Sequence, residues 1–171
     1  MAVLRPAAQP APVWNARLTE WGAMVVLVLV LGMVLAYQAR ELRGQAELAQ
    51  IKGTLGALRT ALVVAHLESK VAKARPEGGV VVPAQRNPFD ALQQSPPNYA
   101  GLAGPEALAV LPGGSWVFDP VCRCIGYRPT ETAWLQSPVG AVSMWFRVGS
   151  TEGPLQITAQ ESYVWMGQPV D

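Results

Sequence analysis

Hydrophobic positions in this chain follow three successive patterns. From Trp21 to Ala39 they form an uninterrupted run, WGAMVVLVLVLGMVLAYQA, with no charged residue. A bilayer core about 30 Å thick needs roughly 20 helical residues at about 1.5 Å each, so the run predicts a retained transmembrane helix. Arg17 and Glu20 stand before it, and Arg40, Glu41 and Arg43 follow it. Trp21 and Tyr37 lie near its two ends, where amphipathic rings suit the water–lipid interface. A cleaved secretory signal would carry an apolar core of only about 7–15 residues ending in a small-residue cleavage site. This run is longer, and it continues into charged, helix-forming sequence.

The second pattern is amphipathic. No proline occurs from Leu42 to Arg75, and Ala, Leu, Glu, Gln, Arg and Lys dominate. Leu48, Ile51, Leu55, Leu58, Leu62 and Ala65 recur at spacings of 3 and 4, which places them along one helical face. Glu47, Lys52, Arg59 and Lys70 read as lying off that stripe. The stripe could be a coiled-coil seam or the surface on which a sheet packs. It is short of three heptads, which favours packing within the domain. Gly44, Gly53 and Gly56 each cost about 1 kcal/mol against Ala in a helix, so a bend or fraying is expected in the middle. Pro76, Gly78 and Gly79 are expected to close the helix.

In the third pattern the period shortens. Between Pro76 and Gly114 stand Pro83, Pro88, Pro96, Pro97, Pro105 and Pro112, so regular ladders should be scarce there. Phe89, Leu92, Tyr99 and Leu102 suggest that this connection packs down. After Gly113-Gly114 come SWVFD, CIGYR, AVSMWFRV and LQITAQESYVW, rich in β-branched and aromatic residues and separated by turn formers. Alternation at Trp116–Phe118, Met144–Phe146–Val148 and Ile157–Ala159 predicts strands with one packed face and one wet face. Short loops favour an antiparallel meander. The expected class is α+β: a long N-terminal helix, membrane-spanning in its first half, packed on a small antiparallel sheet. The segments are 1–20 (leader or cytoplasmic segment), 21–39 (transmembrane helix), 40–75 (amphipathic continuation), 76–114 (irregular packed loop) and 115–171 (sheet).

Composition narrows the function. Thirteen Lys and Arg against twelve Asp and Glu give a formal charge of +1, with half the residues hydrophobic. A nucleic-acid binder would need a basic excess, and a disordered chain would be polar and strongly charged. One His and two Cys are too few for a structural zinc site. Arg40, Arg43, Lys52 and Arg59 outnumber Arg5 and Arg17, which leans weakly toward a cytoplasmic C-terminus, although long domains translocate largely regardless of such charges.

Candidate chemistry is sparse. His66 has no marked nucleophile or orienting acid, and Glu68 would not share its helical face. Cys122 and Cys124 form a C-x-C pair, open to a local disulfide or to two reduced thiols, with metal binding well behind. A disulfide there requires a tight turn, because positions i and i+2 on a straight strand diverge. No nucleotide-binding, nucleophile-elbow or zincin motif occurs. The sequence makes no case for an enzyme, a metal or a cofactor.

The order of elements resembles that of bacterial type IV pilin-like proteins and the pseudopilins of type II secretion. The closer likeness lies in Asn87-Pro88-Phe89 with Leu92, Pro97-Asn98-Tyr99 with Gly101, Gly114-Ser115-Trp116-Val117-Phe118-Asp119, and Ile125 with Tyr127. This series looks like a group found with the mannose-sensitive haemagglutinin type of pilus. The resemblance implies a hairpin with arms Trp116–Asp119 and Ile125–Tyr127, and Cys122 and Cys124 at its turn. It also implies a bacterial inner-membrane, single-pass protein with a periplasmic C-terminal domain, or a place within a surface filament. Its partners would be the lipid bilayer and other pilin-like subunits or membrane assembly proteins, with no nucleic acid. Precursors of this kind usually carry a Gly at the cut and a Glu five residues into the mature chain. Here no Gly is present; Glu20 would take the acidic part, with Ala16 as the first mature residue.

On this reading Met24 through Leu35 anchor the chain, and Gly32 with Ala36 permits close helix approach. Leu48, Ile51, Leu55, Leu58 and Leu62 seat the sheet. Trp116, Phe118, Tyr127, Trp145 and Trp165 build the globular core, or in part a partner surface. Two alternatives stand beside it: a membrane-tethered assembly partner that never enters a filament, and a stalked small-ligand or glycan-binding module.

Overall fold

The computed structural model describes residues 13–73, 87–149 and 155–170. The expected helix closure at Pro76, Gly78 and Gly79 lies outside them. Helix α1 runs without a break from Val13 to Lys73. It therefore starts ahead of Trp21, and Gly44, Gly53 and Gly56 all lie within it. The chain divides into two units, residues 1–43 and 44–171. In the first unit, every described side chain from Arg17 to Arg40 is exposed.

The second unit is α+β. Its elements are β1 (Tyr99–Leu102), α2 (Pro105–Val110), β2 (Trp116–Asp119), β3 (Cys124–Tyr127), β4 (Leu135–Gln136), β5 (Met144–Gly149), β6 (Gln156–Ala159), β7 (Tyr163–Trp165) and β8 (Gln168–Val170), with a 3-10 turn at Pro88–Ala91. One sheet has the order β1-β2-β3-β5-β6 and a second the order β4-β7-β8. All pairs are antiparallel except β1 with β2, which is parallel. The expectation of a single antiparallel sheet is corrected here. A strand forms inside the proline-rich stretch, and a parallel partner requires a crossover of about a dozen residues, which the segment carrying α2 supplies.

The helical stripe covers one face of the larger sheet. Leu48, Ile51, Leu55, Leu58 and Leu62 join Phe89, Trp116, Phe118, Ile125, Tyr127, Met144, Phe146 and Trp165 in one buried cluster. Ile51, Leu55 and Leu58 have no accessible surface. The stripe is thus a seat within the domain.

The expected wet outer face holds for β5, where Arg147 is exposed between buried Phe146 and Val148, but not for the central hairpin. All four residues of β2 and of β3 are buried. Leu108 of α2 and the Trp145 ring cover the outer side, and they do so because position 126 is glycine. A Cβ there would lie 2.7 Å from the Trp145 ring and 2.9 Å from Leu108 Cδ2. Trp145 is therefore a half-buried cover on the outer face and not part of the helix-side core. Leu102 also departs from expectation: it is exposed, whereas Phe89 is buried and Leu92 and Tyr99 pack at the core's edge.

Candidate functional site

The apolar helix and the seat of the sheet are the two features with functional content. In the first unit, the side chains from Met24 to Leu35 stand open to their surroundings, with the large apolar ones 50–77% exposed. Among the described residues, α1 is the one helix long and apolar enough to cross a membrane, and it lies near the N-terminus. Its backbone hydrogen bonds are satisfied internally, which is what hydrocarbon demands of a spanning segment. A Cβ built on Gly32 meets nothing within 4 Å, so the close-approach surface of Gly32 and Ala36 is unobstructed. Ala16 and Glu20 both fall within α1.

In the second unit the seat is more than a leucine stripe. Glu47, expected off the stripe, is buried at 9% exposure. Its carboxylate accepts a hydrogen bond from Tyr127 Oη at 2.7 Å and another from the Thr130 backbone N–H at 2.8 Å. Gly44, expected to loosen the helix, is buried against Trp134, Trp165 and Met166. Trp165 Nε1 donates to the Gly44 carbonyl at 2.9 Å. A Cβ at Gly44 would collide with Met166 Sδ and lie 3.2 Å from the Trp134 ring. Arg59 also turns inward, donating to the Ile157 carbonyl at 3.3 Å. Lys52 and Lys70 are exposed as expected, and His66 is half-buried.

The sequence series Asn87 to Tyr127 is brought together as one aromatic ladder. Tyr99 stacks on Phe89 at 4.1 Å between centroids; Phe89 meets Trp116 at 6.4 Å, and Trp116 meets Tyr127 at 4.5 Å. Polar groups tie the rungs. Asn87 caps the 3-10 turn through the Phe89 N–H and donates from Nδ2 to Tyr99 Oη at 2.8 Å. Asn98 donates to the Gly114 carbonyl, and its own carbonyl accepts from the Trp116 N–H at 3.0 Å. The ladder ends at Tyr127, on Glu47 of the helix. Loop, hairpin and helix are thereby one continuous packed unit.

Burial raises the Tyr127 hydroxyl well above its ordinary value, helped by the hydrogen bond to Glu47 and by that carboxylate's charge. Burial likewise raises Tyr99 and Tyr163. A folded chain thus holds these protons at pH values where the unfolded chain has released them. Their contribution to stability is complete below about pH 10 and is lost as pH rises beyond it. Alkaline titration followed by tyrosine absorbance should show Tyr127 ionising only together with loss of circular dichroism. Replacing Glu47 by Ala should cost about 1–3 kcal/mol for each donor left unpaired, whereas Glu47→Gln, which keeps an acceptor, should cost less. Urea unfolding of a soluble fragment from Arg40 measures the difference.

The hairpin arms lie where expected, and a bridge links Cys122 in the connecting turn to Cys124 at the start of β3, with Cα atoms 5.3 Å apart. The tight turn that the bridge requires is supplied by Arg123, whose φ of 56° is left-handed. Among the described residues no group of three or more His, Cys, Asp or Glu is placed to hold a metal ion. Compared with family models, curated proteins and solved structures, the chain matches none.

Proposed function

We propose that the protein is a membrane-anchored, pilin-like subunit of a type IV pilus or type II secretion apparatus, acting by assembly and not by catalysis. The observation that carries this reading is the division of labour within α1. From Trp21 to Ala39 it carries no charge and is uncovered, whereas in its second half the stripe of Leu48, Ile51, Leu55, Leu58 and Leu62 is buried under the sheet and charged residues such as Lys52 and Lys70 are exposed. Soluble monomers rarely leave contiguous apolar patches above a few hundred Å², so the first half calls for a bilayer or neighbouring helices around it. The bilayer holds the subunit until other helices take over that burial. A glycan-binding module would present its aromatics outward, but Trp116 and Trp165 are fully buried and Trp134 and Trp145 half-buried. The tethered assembly partner shares the same anchor and differs only in whether a filament forms.

The anchor is tested by fractionation. Wild-type protein should stay with membranes through a carbonate wash, and Val28→Arg should weaken retention, since Arg at the centre of a spanning helix costs about 2.5–3.5 kcal/mol on insertion scales. Release of the wild type by the wash would overturn the anchor. Alkaline phosphatase fused after Asp171 should be active, as a translocated domain requires. An active cytoplasmic reporter at that position would overturn the pilin-like reading.

A further inference from the structure

The Cys122–Cys124 bridge encloses only Arg123. The hairpin at whose turn it lies is already closed by four cross-strand pairs, from Trp116 with Tyr127 to Asp119 with Cys124. So small a ring removes little chain entropy from the unfolded state, and stability gives it little purpose. The two sulfur-bearing residues differ sharply in surroundings. Cys122 is exposed in the turn beside Val121, itself 93% exposed, whereas Cys124 is fully buried at the start of β3.

That asymmetry suits exchange. An incoming thiolate must reach one sulfur, and the other must leave carrying the electron pair. Cys122 is the reachable sulfur. Cys124 Sγ receives a hydrogen bond from Gln160 Nε2 at 2.8 Å, a donor already aimed at the atom that would become a thiolate. Directly opposed residues on neighbouring strands share a sheet face, so Cys124 stands between Arg147 on β5 and Asp119 on β2. Arg147 and Asp119 thus flank Cys124 on that face, a cation on one side and a carboxylate on the other. Asp119 Oδ1 is engaged by the Val121 N–H at 2.8 Å. Arg123 adds a second cation within the ring.

We propose that Cys122 and Cys124 form a thiol–disulfide exchange site for the dithiol of a partner protein, an activity beyond the assembly role. The partner's thiolate attacks Cys122 Sγ, forming a mixed disulfide as the S–S bond breaks and Cys124 leaves as thiolate. The partner's second thiol, deprotonated, then attacks its own bonded sulfur and displaces Cys122. The two protons released by the partner end on Cys122 and Cys124, so two electrons and two protons have passed to the pair. A partner disulfide runs the same steps backward.

The test uses the full chain in detergent micelles, opened by a synthetic C-x-x-C dithiol peptide and followed by alkylation and mass analysis. The free oxidised peptide spanning Asp119–Gly126 is the reference. Opening in the folded protein should be within about tenfold of the reference, and Gln160→Leu should slow it at least about threefold. With single cysteines, Cys124→Ser should trap a mixed disulfide at Cys122 at least about tenfold faster than Cys122→Ser does at Cys124. Reduced glutathione at equal thiol concentration should give mixed disulfide with slower net reduction, which separates a dithiol partner from a free monothiol. Opening that occurs only in denaturant, equal trapping at the two positions, or no slowing by Gln160→Leu would each overturn the proposal.

Discussion

A fragment spanning Pro76–Asp171 should fail to fold, whereas one beginning at Arg40 should unfold cooperatively in urea. The shorter piece lacks Leu48, Ile51, Leu55, Leu58 and Leu62, and with them the layer that covers Trp116, Phe118, Ile125, Met144 and Phe146. It also orphans the Tyr127 hydroxyl, the Thr130 N–H and Trp165 Nε1, whose acceptors are Glu47 and the Gly44 carbonyl. A sheet with one apolar face needs a partner layer, and exposing this one forfeits about 1.5–3 kcal/mol for each large side chain returned to water. Several such losses exceed the 5–15 kcal/mol by which domains are ordinarily stable. Circular dichroism and urea titration of the two fragments check the difference. A well-folded shorter fragment would make the helix a separate stalk and favour the tethered binding module.

Truncating Leu58 to Ala should have the next largest effect, about 2–5 kcal/mol in the Arg40–Asp171 fragment. Leu58 has no accessible surface and sits at the centre of the stripe, where the packed sheet leaves little room for collapse. Val64, 48% exposed on the same helix, is the control: Val64→Ala should stay within about 0.5 kcal/mol. A coiled-coil seam would give the opposite pattern, with the monomeric fragment hardly affected by the Leu58 change.

The sequence made some features plain and concealed others for identifiable reasons. The apolar run was legible because length and absence of charge are local properties. The leucine stripe was legible because its 3-and-4 spacing has a fixed meaning on a helix. Glu47 was not, since a carboxylate beside such a stripe reads as solvated until its partners are known. Tyr127 lies 80 residues further along the chain. Gly44 was misjudged for the same cause. Its value depends on Trp165, 121 residues away, and on the Met166 and Trp134 side chains that fill the space a Cβ would take.

β1 escaped detection because it is four residues long, lies among prolines, and pairs with a strand beyond a crossover. The buried outer side of the hairpin depends on Gly126 admitting Trp145 and Leu108, which alternation along β2 or β3 cannot reveal. Cysteine spacing left the bridge open because the outcome turns on one backbone angle, at Arg123.

The assembly role itself can be tested from inside the anchor. A photo-crosslinking amino acid at Leu31, introduced into the full chain in its native membranes, lies beside Gly32 on the uncovered helix. If neighbouring helices take over the burial of this segment, irradiation should yield an adduct with a second copy of the chain or with another pilin-like subunit, and Gly32→Leu should diminish it. Adducts with lipid alone, unchanged by Gly32→Leu, would contradict assembly through this helix.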